Sequence, residues 1–181
     1  MKKMFLSAFL LLPLFMSGCL VGNRIVYNIV PNQGGKGTAT VYYMNIRSDA
    51  TDSQQFQEDQ RLIFDYMLKS REFLKERRDK GQDITSRELY LENGQLNGKA
   101  TYKFEKLSDV EKTLSYEDGF YFLTLALDDS VITTNGEIIK SSNYKRILWD
   151  DKVDTLKFEI SIEPAQGTQL KDLAPLYKKG Q

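Results

Sequence analysis

Apolar and polar residues alternate along most of this chain, and the alternation falls into short runs. Residues 24–30 (RIVYNIV) and 38–46 (TATVYYMNI) are rich in β-branched and aromatic side chains and read as two strands of a hairpin around a Pro/Gly-rich turn at 31–37. The period then changes. Over residues 54–80, Phe56, Ile63, Met67 and Leu74 lie within about 20° of one line at 100° per residue, with Leu62, Tyr66 and Phe73 widening the stripe. Glu58, Arg61, Asp65, Lys69, Glu72 and Glu76 fall opposite, and Asp52 or Ser53 can cap the start, with Gln55 completing a capping-box pattern. That predicts one long amphipathic helix laid on a sheet.

Strands resume after residue 83. Residues 86–92 and 96–104 flank Asn93-Gly94, a pair suited to a type I′ turn, and Gly98 suggests a bulge or an irregular start of the second strand. Ser108-Asp109-Val110-Glu111 predicts one helical turn over Leu107 and Leu114. Residues 119–127 (GFYFLTLAL) are the most apolar run beyond residue 23 and read as a central strand covered on both faces, or one facing a ligand or partner. Residues 131–134 lead through Asn135-Gly136 to 137–140, and 146–149 and 155–162 complete the strands, leaving residues 164–181 as a tail with one loose helical turn. The fold expected is α+β, an antiparallel sheet of hairpins in the order ββ-α-ββ-βββ with one long amphipathic helix packed on it, in a single domain over residues 24–163.

The start of the chain carries a different pattern. Lys2 and Lys3 precede an apolar run over residues 4–16, and small residues lead to the only cysteine in Met16-Ser17-Gly18-Cys19. A positive start, a short apolar core and small residues before a cut are the parts of an export signal, and the run is shorter than the ~20 residues of a comfortable bilayer span. This segment resembles the signal peptide of bacterial lipoproteins, with residues 16–19 as the lipobox. The resemblance implies cleavage between Gly18 and Cys19, S-diacylglycerol and N-acyl groups on Cys19, a membrane partner through that anchor, and residues 19–23 as a lipidated tether. Leu20, where inner-membrane lipoproteins usually carry aspartate, implies the outer membrane of the cell envelope if the host has one.

Composition narrows the chemistry. With the signal removed, 23 basic and 25 acidic residues leave a charge near −2, no footing for nucleic acid. Histidine is absent and Cys19 is committed to lipid, so zinc or copper sites built on nitrogen and sulfur, Ser-His-Asp triads and the usual neutral-pH base are excluded. Gly35-Lys36-Gly37-Thr38 lacks the Gly-Lys-Ser/Thr order of a phosphate loop and leads into a strand. Asp128-Asp129 and Asp150-Asp151 are the acid pairs a carboxylate-dependent hydrolase could use, although adjacent acids in turns are ordinarily solvated surface.

A shorter resemblance lies near the far end. Thr134-Asn135-Gly136-Glu137, followed by Ile147-Leu148-Trp149-Asp150, is similar to the closing hairpin of several uncharacterised bacterial envelope lipoproteins, which also begin with a Gly-Lys-Gly-Thr hairpin. It implies an antiparallel α+β domain on a lipid anchor and transfers no catalytic residue. The functional expectation is a non-catalytic, lipid-anchored envelope protein, without cofactor or metal, that binds an envelope partner or serves a structural role. The alternative is a carrier holding a hydrophobic ligand between sheet and helix on Tyr66, Phe120, Phe122, Leu125 and Trp149, and the third reading is the hydrolase.

Overall fold

The computed structural model describes residues 20–32, 34–164 and 167–178. The signal segment, with Gly18 and Cys19, lies outside the described residues. The first strands form one long hairpin: β1 (Leu20–Val21), β2 (Arg24–Pro31), β3 (Gly37–Met44) and β4 (Arg47–Ser48). Arg24 pairs with Met44 and Leu20 with Ser48, so a single register runs through both pairs of strands. The ladder bends between them, where Asn45 takes a positive φ of 54°.

The helical stretch is not one helix. It comprises α1 (Ser53–Arg61), a π-helical turn over Leu62–Met67, and α2 (Arg71–Asp79). Asp52 caps α1 by accepting from the Gln55 amide, while the Gln55 side chain reaches back to Thr51. At Ser70 the backbone is extended (φ −68°, ψ 136°), and its hydroxyl accepts from Glu72 and Phe73 as the cap of a new helix. Serine competes with the helical ladder in this way because its short side chain can take over an unpaired amide. The π turn adds residues per turn and the break resets the phase, so the line from Phe56 to Leu74 does not exist in space. The buried face is Asp59, Ile63, Phe73 and Arg77, with Leu74 half-exposed.

Then follow β5 (Gln82–Glu92), β6 (Gln95–Phe104), the short α3 (Leu107–Val110), β7 (Leu114–Glu117), β8 (Phe120–Leu125), β9 (Val131–Thr134), β10 (Glu137–Lys140), β11 (Lys145–Asp150), β12 (Leu156–Ser161), β13 (Lys171–Asp172) and a 3-10 turn over Ala174–Leu176. Asn93 and Gly94 both have positive φ, as their hairpin turn requires. The register of β5 on β6 shifts between Ile84 and Ser86, placing a bulge at Thr85; Gly98 instead packs flat beneath Ile46 and Leu89. Among the described residues, thirteen strands form three sheets, ordered β5-β6-β3-β2-β12-β9, β10-β11-β8-β7 and β1-β4-β13. They account for 47% of that part of the chain against 21% helix, so the protein is mostly β and the α+β expectation with a long helix is overturned.

One face of the six-stranded sheet is buried. Ile25, Tyr27 and Ile29 of β2, Ala39, Val41 and Tyr43 of β3, Tyr102 and Phe104 of β6, and Leu156, Phe158 and Ile160 of β12 make up its core side. The helical segment covers the β5-β6-β3 half, and the four-stranded sheet covers the β2-β12 half, where Trp149 meets Phe158 at 5.8 Å and Phe158 stacks on Tyr27 at 4.5 Å.

Three further expectations are corrected by this arrangement. Asn135-Gly136 joins no hairpin, because β9 belongs to the six-stranded sheet and β10 to the four-stranded one. The strand expected to be covered on both faces, β8, is internal by pairing but buried on one side: Leu123 and Leu125 are enclosed, whereas Phe120 is 41% exposed. Residues on either side of residues 24–163 are part of the fold rather than tether and tail. Leu20 is 3% exposed and Leu173 fully buried, and β1 and β13 flank β4 in one sheet.

Candidate functional site

The π turn and the Ser70 break are held against the sheet by one side chain. Arg87 on β5 donates from Nη1 to the Met67 carbonyl at 2.7 Å and from Nη2 to the Ser70 carbonyl at 2.9 Å, and its guanidinium stands 5.5 Å from the Phe73 ring. The Met67 carbonyl is one that a helix end leaves without an intrahelical partner, the Ser70 carbonyl opens the next helix, and a planar two-pronged cation reaches both. Partial burial lowers the pKa of Arg87 from its ordinary value. Arg87→Ala should therefore loosen residues 62–79 by about 2 kcal/mol of local stability. Hydrogen exchange read along the chain should show lost protection there and unchanged protection in the β5–β6 hairpin.

Beneath this pin lies an apolar cavity of about 60 Å³ between helices and sheet. Ile63, Met67 and Phe73 roof it, and Tyr43, Ala100 and Tyr102 floor it. It is well below the roughly 300 Å³ at which pockets for drug-sized ligands start. An apolar wall of this kind accepts a few carbon atoms and gives water no partners.

At the inner end, polar groups are enclosed with the tyrosines. Arg77 is 1% exposed and Gln82 4% exposed; Arg77 donates to the Gln82 side-chain oxygen and the Gln82 amide donates to the Asp109 carbonyl, tying α2 to α3. Burial is the leading cause that lowers the Arg77 pKa and raises those of Tyr27, Tyr43 and Tyr102. Glu111, 4% exposed, is pushed up by burial to about 7, against a countering hydrogen bond from the Lys112 amide. Elsewhere, buried Asp59 accepts from the Ser48 hydroxyl at 2.6 Å, fastening α1 to β4.

The residues that the sequence nominates for ligand binding do not converge. Trp149 and Leu125 sit in the core, 1% and 2% exposed. Phe120 and Phe122 are on the opposite face of the four-stranded sheet, where Arg146 lies 4.8 Å from the Phe122 ring. Tyr66, on the π turn, meets Phe73 edge-on at 5.6 Å, and desolvation followed by its bond to Glu76 raises its hydroxyl to about 12. None of the five lines the cavity. One acid of each pair caps its turn: Asp129 accepts from the Ala126 amide at 2.7 Å and Asp150 from the Lys152 amide at 2.9 Å.

Arg77, Arg87 and Glu111 were not singled out by sequence reasoning, yet two of them leave a trace. Glu111 occupies the i+4 place of the stripe Leu107, Val110, Leu114, and Arg77 follows Phe73 by four, so each is a charge on an apolar face. Arg87 leaves none, because its partners are seventeen and twenty residues away. Among the described residues no group of three or more His, Cys, Asp or Glu side chains could hold a metal ion. Nor is any helix among them long and apolar enough to cross a membrane. Comparison of the chain with family models, curated proteins and solved structures gives no match.

Proposed function

We propose that this chain is a lipoprotein of the bacterial cell envelope, cut after Gly18, acylated on Cys19 and held by that lipid in the outer membrane of a two-membraned host. The observation that carries the reading is the run Lys2-Lys3, residues 4–16 and Met16-Ser17-Gly18-Cys19, in which the only cysteine occupies the one position where lipid attachment needs it. Two or more acyl chains, each contributing about 0.8 kcal/mol per buried methylene, make a durable anchor where one would not. The mature domain serves a non-catalytic binding or structural role toward another envelope component. Support for that role comes from the absence of histidine and of any thiol besides Cys19 in the sequence, and from Asp129 and Asp150, one of each acid pair, being engaged as turn caps.

Intact-mass analysis of the protein from membrane extracts tests the anchor. The expected species begins at Cys19 and carries the added mass of the diacylglycerol and acyl chains, and Cys19→Ala should abolish it, with the protein leaving the membrane fraction. An unmodified chain would sink the proposal.

A second reading, transport of a hydrophobic ligand, is favoured by the apolar cavity beneath the π turn. At about 60 Å³ the cavity takes the tip of an alkyl group and not a whole acyl chain. Native mass spectrometry showing co-purified lipid would raise this reading above the first.

A further inference from the structure

Leu20, the residue after the acylated cysteine, is 3% exposed and paired with Ser48, so no free chain separates the anchor from the folded domain. A cysteine one peptide unit away can stand only about 3.8 Å, Cα to Cα, from a core residue. The hairpin keeps one register from Leu20 to the turn at residues 31–37, eleven steps of about 3.3 Å along the strand, with a bend opposite Asn45 where it passes from one sheet to the other. Leu20 and that turn are therefore at opposite poles, on the order of 30 Å apart with the bend allowed for.

Other elements gather at the Leu20 pole. Ile46 donates to the Leu96 carbonyl at 2.7 Å, which sets the tip of the β5–β6 hairpin level with β4. At that tip Leu91 is 48% exposed. Lys171 of β13 pairs with Ser48 and donates to the Asp52 carbonyl, which brings the start of α1 to the same end. Lys36 and Glu105, an exposed ion pair, mark the opposite pole.

We propose that the pole formed by β1, β4, β13, the start of α1 and the Leu91 hairpin tip rests against the lipid headgroups, while the turn at 31–37 faces away and is the end open to partners. The inference rests on lipidation of Cys19. Charge does not drive the orientation, since Asp49, Asp52, Glu92 and Asp172 outnumber Arg47 and Lys171 at this end. The absent slack does.

Acylation blocks the thiol of Cys19, so an introduced cysteine is the sole labelling site. Acylated protein carrying Glu92→Cys, Gln54→Cys or Lys36→Cys, each labelled with a fluorophore, is reconstituted into phosphatidylcholine/phosphatidylglycerol vesicles containing headgroup nitroxide lipid. Quenching at 92 and 54 should exceed that at 36 at least threefold, and a twenty-residue Gly/Ser insertion between Cys19 and Leu20 should erase the difference. Equal quenching at all three sites in protein of confirmed acylated mass overturns this orientation alone. A contrast that survives the insertion overturns the short-leash account and assigns the orientation to surface affinity. A mass lacking acyl chains overturns the anchor and the orientation together.

Discussion

Glu111→Gln should make the domain more stable at pH 8 and leave it nearly unchanged at pH 4. The native carboxyl titrates near 7 because it is buried, whereas the exposed group in the unfolded chain titrates near 4.5. Between those values the folded protein holds a proton that the unfolded chain has released, so stability falls as pH rises through this window. Below it both states are protonated and the burial is tolerated at full stability. Above it the folded state carries an ionised carboxylate facing Tyr27, Tyr43 and Tyr102, with Asp129 adding repulsion and Lys112 partly opposing it. The gap amounts to on the order of 3 kcal/mol. Denaturant unfolding at pH 4, 6 and 8 should show the native curve dropping across the series and the glutamine variant staying level in comparison. Parallel pH profiles would show that Glu111 does not hold a raised pKa.

Gly136→Ala should cost about 2–3 kcal/mol, which for a domain of this size lowers Tm by roughly 5–10 °C. A Cβ at this position would stand 2.7 Å from the Ile147 methyl, the Leu148 carbonyl and the Trp149 ring nitrogen. All three neighbours belong to the β8–β11 ladder, and Ile147 and Trp149 are buried besides, so they cannot retreat. The site matters because Asn135 beside it ties two sheets together. Its side-chain oxygen accepts from Trp149 Nε1 and from the Lys157 amide, both at 2.8 Å, and its nitrogen donates to the Thr155 carbonyl at 2.8 Å. Displacing Trp149 breaks that tie as well as the contact with Phe158, so Trp149 fluorescence should shift red in Gly136→Ala before unfolding begins. An unshifted spectrum with unchanged Tm would mean the crossover has room to give.

The same crossover shows where sequence reading stops. Asn-Gly followed by a strand ending in tryptophan reads as a hairpin, and the two residues are indeed coupled. The coupling is between sheets: the asparagine accepts the indole proton because β9 and β10 part company at Gly136. Nothing in a local pattern separates a turn that returns to its own sheet from one that crosses to another.

Local physics was legible throughout. Asn93-Gly94 takes the positive φ pair its composition demands, Asp52 caps α1, and the alternation in residues 155–162 places Leu156, Phe158 and Ile160 on the buried side. In each case the deciding interaction lies within a few residues, or the period alone names the face. The tertiary structure decided the rest. Ser70 breaks a helix that periodicity would continue, because its hydroxyl caps α2 while Arg87, from a distant strand, holds the Met67 and Ser70 carbonyls on either side of the break. Leu20 and Leu173 leave the would-be tether and tail because β4 supplies each with a partner strand. Whether a charge such as Glu111 or Arg77 is enclosed depends on which surfaces close over it, and those surfaces come from chain far away in sequence. Periodicity tells a residue which way to face; only the assembled sheets determine what it faces.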